Sequence, residues 1–125
     1  MADTERVYDD DAVAARLTDA LTHWFVEGGS IGRSYATQGW KSALMVCATI
    51  GHLAEAAWHH PEITVAYGRV EVRLMSHDAG GITDRDLALA AKIEEVVCWR
   101  PGAEQGPLSG TPSDDPRFAY IVYQD

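Results

Sequence analysis

The stretch YGRVEVRLMSHDAGGITDRDLALAAKIEEVVCW, residues 67–99, predicts a strand, a turn and a helix in succession. Apolar side chains alternate with others along its first part, at Val70, Val72 and Leu74. Such alternation is typical of a strand with one buried face. Residues 78–82 predict a turn, after which Thr83 can cap a helix and Asp86 can complete a capping box. The apolar positions of this helix are Leu87, Ala90, Ala91, Ile93 and Val97.

A second long helix is predicted upstream, over about residues 40–58. One apolar face contains Trp40, Ala43, Leu44, Cys47, Ile50, Gly51 and Ala54. The opposite side is also apolar, at Met45, Val46 and Leu53. We therefore expect this helix to be buried on more than one side, against a sheet and against another subunit. It must end before Pro61, because a proline pushes the preceding residue out of the helical region.

The remaining sequence patterns predict a first helix and further strands, so that helices and strands together form an α+β domain. A first helix follows the acidic residues 9–11, with apolar positions at Val13, Leu17, Ala20, Leu21 and Trp24. Residues 30–37 predict a strand, and residues 23–26 are its expected hairpin partner across a glycine turn. Residues 63–67 predict a short strand or an entry loop. Helices packed on one face of a small antiparallel sheet are the natural arrangement for this order.

Composition divides the chain into three parts. Residues 1–9 form an acidic extension, residues 10–99 carry the helix and strand patterns, and residues 100–125 are rich in proline and glycine. The chain regains apolar and aromatic character near its end, at Phe118, Tyr120, Ile121, Val122 and Tyr123. We expect this end to dock, as an edge strand on this chain or on a neighbouring one.

The net charge of the 125-residue chain is −9, from 19 acidic and 10 basic side chains. This charge disfavours nucleic acid or an anionic membrane as a direct partner, because phosphate contacts need Lys and Arg. The acidic first residues lack an apolar run, so we expect no signal peptide, and we expect no membrane-spanning helix because no stretch is apolar enough. Cys47 and Cys98 lie in apolar helical patterns and are interpreted as packing thiols in a reducing cytoplasm.

Three of the five histidines lie at the ends of predicted elements. His59 and His60 stand where the long helix ends, and His77 ends the strongest strand. Near neutral pH, histidine can act as a general acid or base. Glu55 lies one helical turn before His59 and could orient it.

The residues alone leave other interpretations open. His52, Glu55 and His59 share a helical face, but they lack the closely spaced histidine pair of a zinc helix, so no metal site is expected. We interpret His52 as an ordinary helix histidine and His23 as a surface or interface residue. For the other three histidines, a structural and a functional role remain equally open at this point.

Residues 55–86, EAAWHHPEITVAYGRVEVRLMSHDAGGITDRD, resemble the signature of the pterin-4a-carbinolamine dehydratase family. The positions that match the family pattern are Glu55, His59, His60, Pro61, Tyr67, His77 and Asp86. The similarity extends over roughly residues 10–98. The chain departs from the pattern at Ile63, where the family often has Trp, and at Trp58, where it often has Asp or a small polar residue.

The resemblance implies a four-stranded antiparallel sheet with three helices on one face, in a homodimer or homotetramer. It also implies a reaction, in which a 4a-hydroxytetrahydropterin loses water to give the quinonoid dihydropterin. The pterin is the substrate, and no cofactor or metal is implied.

The resemblance also implies roles for particular residues. His59 and His77 would be the acid and base, and His60 would hold and polarise the pterin. Supporting or substrate-binding roles would fall to Glu55, Ser76, Asp78 and Asp86. Asp86 can equally be interpreted as a structural carboxylate at a helix N-terminus.

A second function is open on the same scaffold. The family includes non-catalytic members, namely a dimerisation cofactor of a transcription factor and assembly factors for Rubisco. The added segment 100–125, Ile63 and Trp58 are the features that favour such a protein-binding role.

Overall fold

The computed structural model describes residues 5–112 and 114–124. Within these ranges it contains three α-helices, five strands and one short 3-10 helix. In chain order they are α1 (Asp10–Leu17), β1 (Phe25–Glu27), β2 (Ser30–Thr37), α2 (Trp40–Ala57), β3 (Glu62–Ala66), β4 (Arg69–Leu74), α3 (Asp84–Val97), the 3-10 helix (Pro101–Ala103) and β5 (Ile121–Val122).

The strands form one antiparallel sheet in the order β1-β2-β4-β3, and β5 pairs with the end of β2. The register between β2 and β4 places Tyr35 opposite Val70 and Ile31 opposite Leu74. These four side chains are buried on one face, and the helices cover that face. The predicted α+β class with an antiparallel sheet is therefore confirmed, and β5 adds a short fifth strand.

The core lies between this sheet face and helices α2 and α3. The buried side chains of α2 are Ser42, Ala43, Val46, Ile50 and Ala54. Trp40, Leu44 and Gly51 are exposed in the single chain, so burial of that side of α2 against another subunit stays a prediction. Because α2 is apolar on most of its circumference, periodicity alone could not select the side that meets the sheet. In α3 the predicted core face was wrong for Ala91, which is exposed, whereas Leu89 is buried.

Helix α1 is shorter than its apolar spacing predicted. It ends at Leu17, and the Thr18 hydroxyl donates to the carbonyl of Ala15. The chain then passes through turns, yet Leu21 and Trp24 are still buried. Leu21 and Trp24 therefore contact the core from turns and not from a continued helix, because the polypeptide must reverse direction before β1.

The expected hairpin of β1 and β2 is present, although β1 spans Phe25–Glu27 and not residues 23–26. Gly28 and Gly29 have φ values of 60° and 77°, the left-handed conformation that a two-residue hairpin turn requires. The segment predicted as a short strand or loop forms β3, which pairs with β4 along its length.

Both ends of the described chain pack on the domain. The Tyr8 side chain belongs to the core, and its hydroxyl donates to Asp84 at the start of α3. At the other end, Ile121 is buried and pairs with Thr37 of β2.

A buried polar cluster joins β2 to the last turn of α3. The Glu94 carboxylate accepts hydrogen bonds from the Trp24 indole, the Arg33 guanidinium and the Tyr35 hydroxyl. Burial acts to raise the pKa of Glu94, but the hydrogen bonds from Arg33 and Tyr35 outweigh it and hold the pKa below its ordinary value. The cluster therefore contains a buried ion pair.

No helix in the described ranges is both long and apolar enough to span a membrane.

Candidate active site

The site is built around the end of α2. Trp58 caps this helix in the left-handed conformation, with φ 52° and ψ 45°. Its backbone N–H donates to the carbonyl of Glu55, and the next N–H, of His59, donates to that of Ala54. This turn changes the direction of the chain before Pro61, so that His59 and His60 point to different sides.

His59 points inward and meets Asp86 of α3. Its Nε2 lies 2.6 Å from Asp86 Oδ1. Only 10% of the His59 side chain is exposed, and the Asp86 side chain is fully buried. This contact was not predicted from the sequence, where Glu55 was the expected partner of His59.

The second oxygen of Asp86 is held by two donors. The Ser76 hydroxyl and the Thr83 backbone N–H donate to Oδ2, at 2.8 and 2.9 Å. The Thr83 bond is one half of the capping box at the start of α3. Asp86 is therefore both the helix-start carboxylate and the partner of His59, so the two interpretations of this residue do not exclude one another.

His60 points outward instead. Its Nε2 lies 2.9 Å from Glu55 Oε1, and the two side chains are 52% and 69% exposed. The Trp58 ring stands edge-on to the His60 ring, with the centroids 5.0 Å apart. Glu55 therefore contacts His60, and not His59 as the helical spacing suggested.

His77 and Asp78 lie in the turn between β4 and α3. His77 is exposed and directly follows the buried Ser76. In the described part of the chain, no hydrogen bond joins its ring to that of His59 or His60. Asp78 accepts a hydrogen bond from Arg85, which lowers the pKa of its carboxyl group.

A groove between α2 and α3 opens beside His59. Its volume is about 390 Å³. Its lining comprises Leu53, Ala56, Ala57, His59, Arg85, Ala88, Leu89 and Lys92. The groove therefore gives a ligand access to His59 from this side.

Two contributors to the site were missed at the sequence level. Thr83 was seen only as a helix cap, although its hydroxyl also contacts Ser76 at 2.8 Å. Arg85, which ties Asp78 to Glu5, was not singled out. The capping box was the available signal for Thr83, but no local pattern identifies Arg85.

The residues described do not bring three or more His, Cys, Asp or Glu side chains into an arrangement that could hold a metal ion. The site instead consists of imidazole, carboxylate and hydroxyl groups. Of these groups, the imidazole of histidine is the one that can both donate and accept a proton near neutral pH.

Comparison with known proteins identifies relatives of this chain. The family model described as pterin 4 alpha carbinolamine dehydratase matches residues 6–96. A protein of Thermomicrobium roseum, provisionally named as such a dehydratase, is 41% identical over 88 residues, which are 70% of this chain and 95% of that protein. A protein of Aquifex aeolicus with the same provisional name is 46% identical over 82 residues, which are 66% of this chain and 83% of that protein.

A solved structure supports the same assignment. The crystal structure of a "transcriptional coactivator/pterin dehydratase" from Brucella melitensis superposes with a TM-score of 0.65 at 31% identity. The match covers 73% of this chain and 98% of the Brucella chain. The chain belongs to the pterin 4 alpha carbinolamine dehydratase family.

Proposed function

We propose that this protein catalyses the dehydration of a 4a-hydroxytetrahydropterin to the quinonoid dihydropterin, with histidines as general acid and base. The observation that carries the proposal is the contact between His59 and the buried Asp86, at 2.6 Å. A carboxylate in this position orients an imidazole for proton transfer.

The reaction needs two proton transfers and no change of oxidation state. An acid protonates the 4a-hydroxyl group, the C4a–O bond breaks, and water leaves. A base removes the proton from the adjacent ring N–H, and a C=N bond forms. We assign these two roles to His59 and His77, without ordering them. His60 and Glu55 stand at the exposed side, where they can hold the polar edge of the pterin.

The pterin is the substrate in this proposal, and no further cofactor is needed. The reaction would take place in the cytoplasm, where the free thiols of Cys47 and Cys98 stay reduced. We also propose a homodimer or homotetramer as the working form, since α2 exposes Trp40, Leu44 and Met45.

A direct assay tests the proposal. Freshly made 4a-hydroxytetrahydropterin is mixed with the protein, and dihydropterin formation is followed against the spontaneous reaction. The double substitution His59→Ala, His77→Ala should remove most of the acceleration, roughly 100-fold or more, because general acid–base catalysis contributes that much. The control is His52→Ala, since His52 is exposed on α2 outside the site. Folded protein that gives no acceleration would refute the proposal.

A second candidate function is a protein-binding role on the same fold. It is favoured by the description of the Brucella protein as a "transcriptional coactivator/pterin dehydratase" and by the exposed side chains of Trp40 and Leu44. The test compares wild type with Leu44→Glu. A stoichiometric partner protein that binds wild type but not the variant, together with no dehydration activity in either, would favour this second function.

A further inference from the structure

We propose that the hydroxyl groups of Ser76 and Thr83 are positioning groups that fix the tautomer of His59. In this arrangement Nε2 carries the proton that is bound to Asp86, and Nδ1 is the nitrogen that exchanges protons with the substrate. The catalytic part of this inference rests on the proposed dehydratase function, whereas the tautomer does not.

The direction of each hydrogen bond follows from counting protons. The Thr83 N–H can only donate, and it donates to Asp86 Oδ2. Ser76 has a single hydroxyl proton, which it donates to the same oxygen. In the 2.8 Å contact between the two hydroxyls, Thr83 must therefore donate to Ser76. The Thr83 oxygen in turn accepts from the backbone N–H of Arg85.

This series of hydrogen bonds begins at the backbone of α3 and ends at the Asp86 carboxylate. Every member except His59 is buried or belongs to the helix start, and none of the buried side-chain polar atoms in the described ranges lacks a partner. With both donors directed at Oδ2, the carboxylate presents Oδ1 to His59 as an acceptor. A 2.6 Å contact with an acceptor requires a proton on the facing nitrogen, which is Nε2.

The consequence is that Nδ1 has no proton when the ring is neutral. Nδ1 can then accept a proton as a base, or donate one as an acid after the ring has been protonated. His59 also lines the groove between α2 and α3, so the imidazole is accessible to a ligand there.

The substitution Asp86→Asn tests the donor-to-acceptor direction of these hydrogen bonds. The asparagine oxygen should occupy the Oδ2 position, because two donors converge there, and its NH2 group should then face His59. A donor at that position forces Nε2 to accept, so the neutral ring must carry its proton on Nδ1. The capping box is retained in this variant, because the asparagine oxygen still accepts from Thr83.

The measurement is 15N NMR of histidine-labelled protein at a pH where His59 is neutral. The protonated and unprotonated ring nitrogens resonate far apart, and His59→Gln assigns the signals among the five histidines. We expect Nε2–H in wild type and Nδ1–H in Asp86→Asn, with kcat lower on the order of 100-fold or more in the variant. Nδ1–H in wild type, or an unchanged tautomer in Asp86→Asn, would overturn the inference.

The Ser76 hydroxyl has its own test. Ser76→Ala should lower kcat about tenfold with little change in KM, as supporting groups around an active side chain often do. Ser76→Thr keeps the hydroxyl and should restore kcat. Ser42→Ala is the matched control, because Ser42 is also buried but lies in α2 and donates to the carbonyl of Gly39, the residue before that helix. Wild-type kcat in folded Ser76→Ala would count against a positioning role.

The two readouts separate this inference from the proposed function. NMR reports the His59 ring without any substrate. Nε2–H in a protein without dehydratase activity would refute only the function, while activity with Nδ1–H would refute only the tautomer.

Discussion

Replacing Glu94 with alanine should lower the free energy of unfolding by about 3–5 kcal/mol, because it leaves a buried charge without its partner. The Arg33 side chain is 5% exposed, and its Nε lies 3.0 Å from Glu94 Oε1. The same oxygen accepts from the Tyr35 hydroxyl at 2.8 Å and from the Trp24 indole at 3.0 Å.

The magnitude follows from what the substitution leaves behind. Breaking a buried ion pair from one side costs about 3–5 kcal/mol. The Tyr35 hydroxyl and the Trp24 indole lose their acceptor and add about 1 kcal/mol each. The weaker thiol donor of Cys98 also loses Glu94 Oε2, but water entering the space left by the side chain would offset part of these costs. A domain of this size is stable by about 5–15 kcal/mol, so the variant should fold but unfold at much lower urea concentration.

The assay is urea unfolding at pH 7, followed by circular dichroism. The matched control is Glu95→Ala, the next residue of α3, which pairs with Lys92 at the surface. Removing that exposed pair should cost no more than about 0.5 kcal/mol. If the two variants differ in stability by less than about 1 kcal/mol, the buried ion pair does not stabilise the fold as argued.

The same pair of variants gives a pH test. The folded-state pKa of Glu94 is lowered, so its contribution is fully present above its unfolded pKa of about 4.3 and is lost as the pH falls through the lower folded value. The difference in stability between wild type and Glu94→Ala should therefore shrink below about pH 4. A difference that grows on acidification would contradict this sign.

Three further predictions concern other parts of the molecule. Gly51→Ala should stabilise the protein by roughly 0.5–1 kcal/mol, measured by urea unfolding, because Gly51 lies within α2 and a Cβ there meets no atom within 4 Å. Burial and the neighbouring Glu94 carboxylate raise the pKa of the Cys98 thiol to about 11. At pH 8 mass spectrometry should therefore show little alkylation of Cys98 by iodoacetamide, since about one thiol in a thousand is ionised. Deleting residues 119–125 should cost about 2 kcal/mol or more of stability, because the buried Ile121 and β5 are lost, whereas Phe118→Ser, at an exposed position, should have little effect.

Much of the strand and helix pattern could be predicted from local sequence. The alternation at Val70, Val72 and Leu74 identified β4, and Thr83 with Asp86 identified the start of α3. These are short-range signals, since side-chain period and caps depend on neighbouring residues. The face of α2 could not be predicted in the same way, because an all-round apolar helix is oriented by what packs on it.

The site was predicted in part for the same reason. His59 and Asp86 were both named, but the bond between them joins residues 27 apart and depends on the tertiary packing of α3. Helical spacing predicted that Glu55 contacts His59. The chain turns in the left-handed conformation at Trp58, and Glu55 contacts His60 instead. The cluster of Arg33 with Glu94 was not predicted, since 61 residues separate the partners and neither has a local signature.

The position of Trp58 has an optical consequence. A non-glycine residue in the left-handed conformation costs about 1–2 kcal/mol, and this one places an indole that is 75% exposed edge-on to His60. A ring ligand that stacks beside His60 must change the surroundings of that indole, while His59 lies on the inner side of the same turn. Tryptophan fluorescence could therefore follow ligand arrival at the outer histidine separately from proton transfer at the inner one.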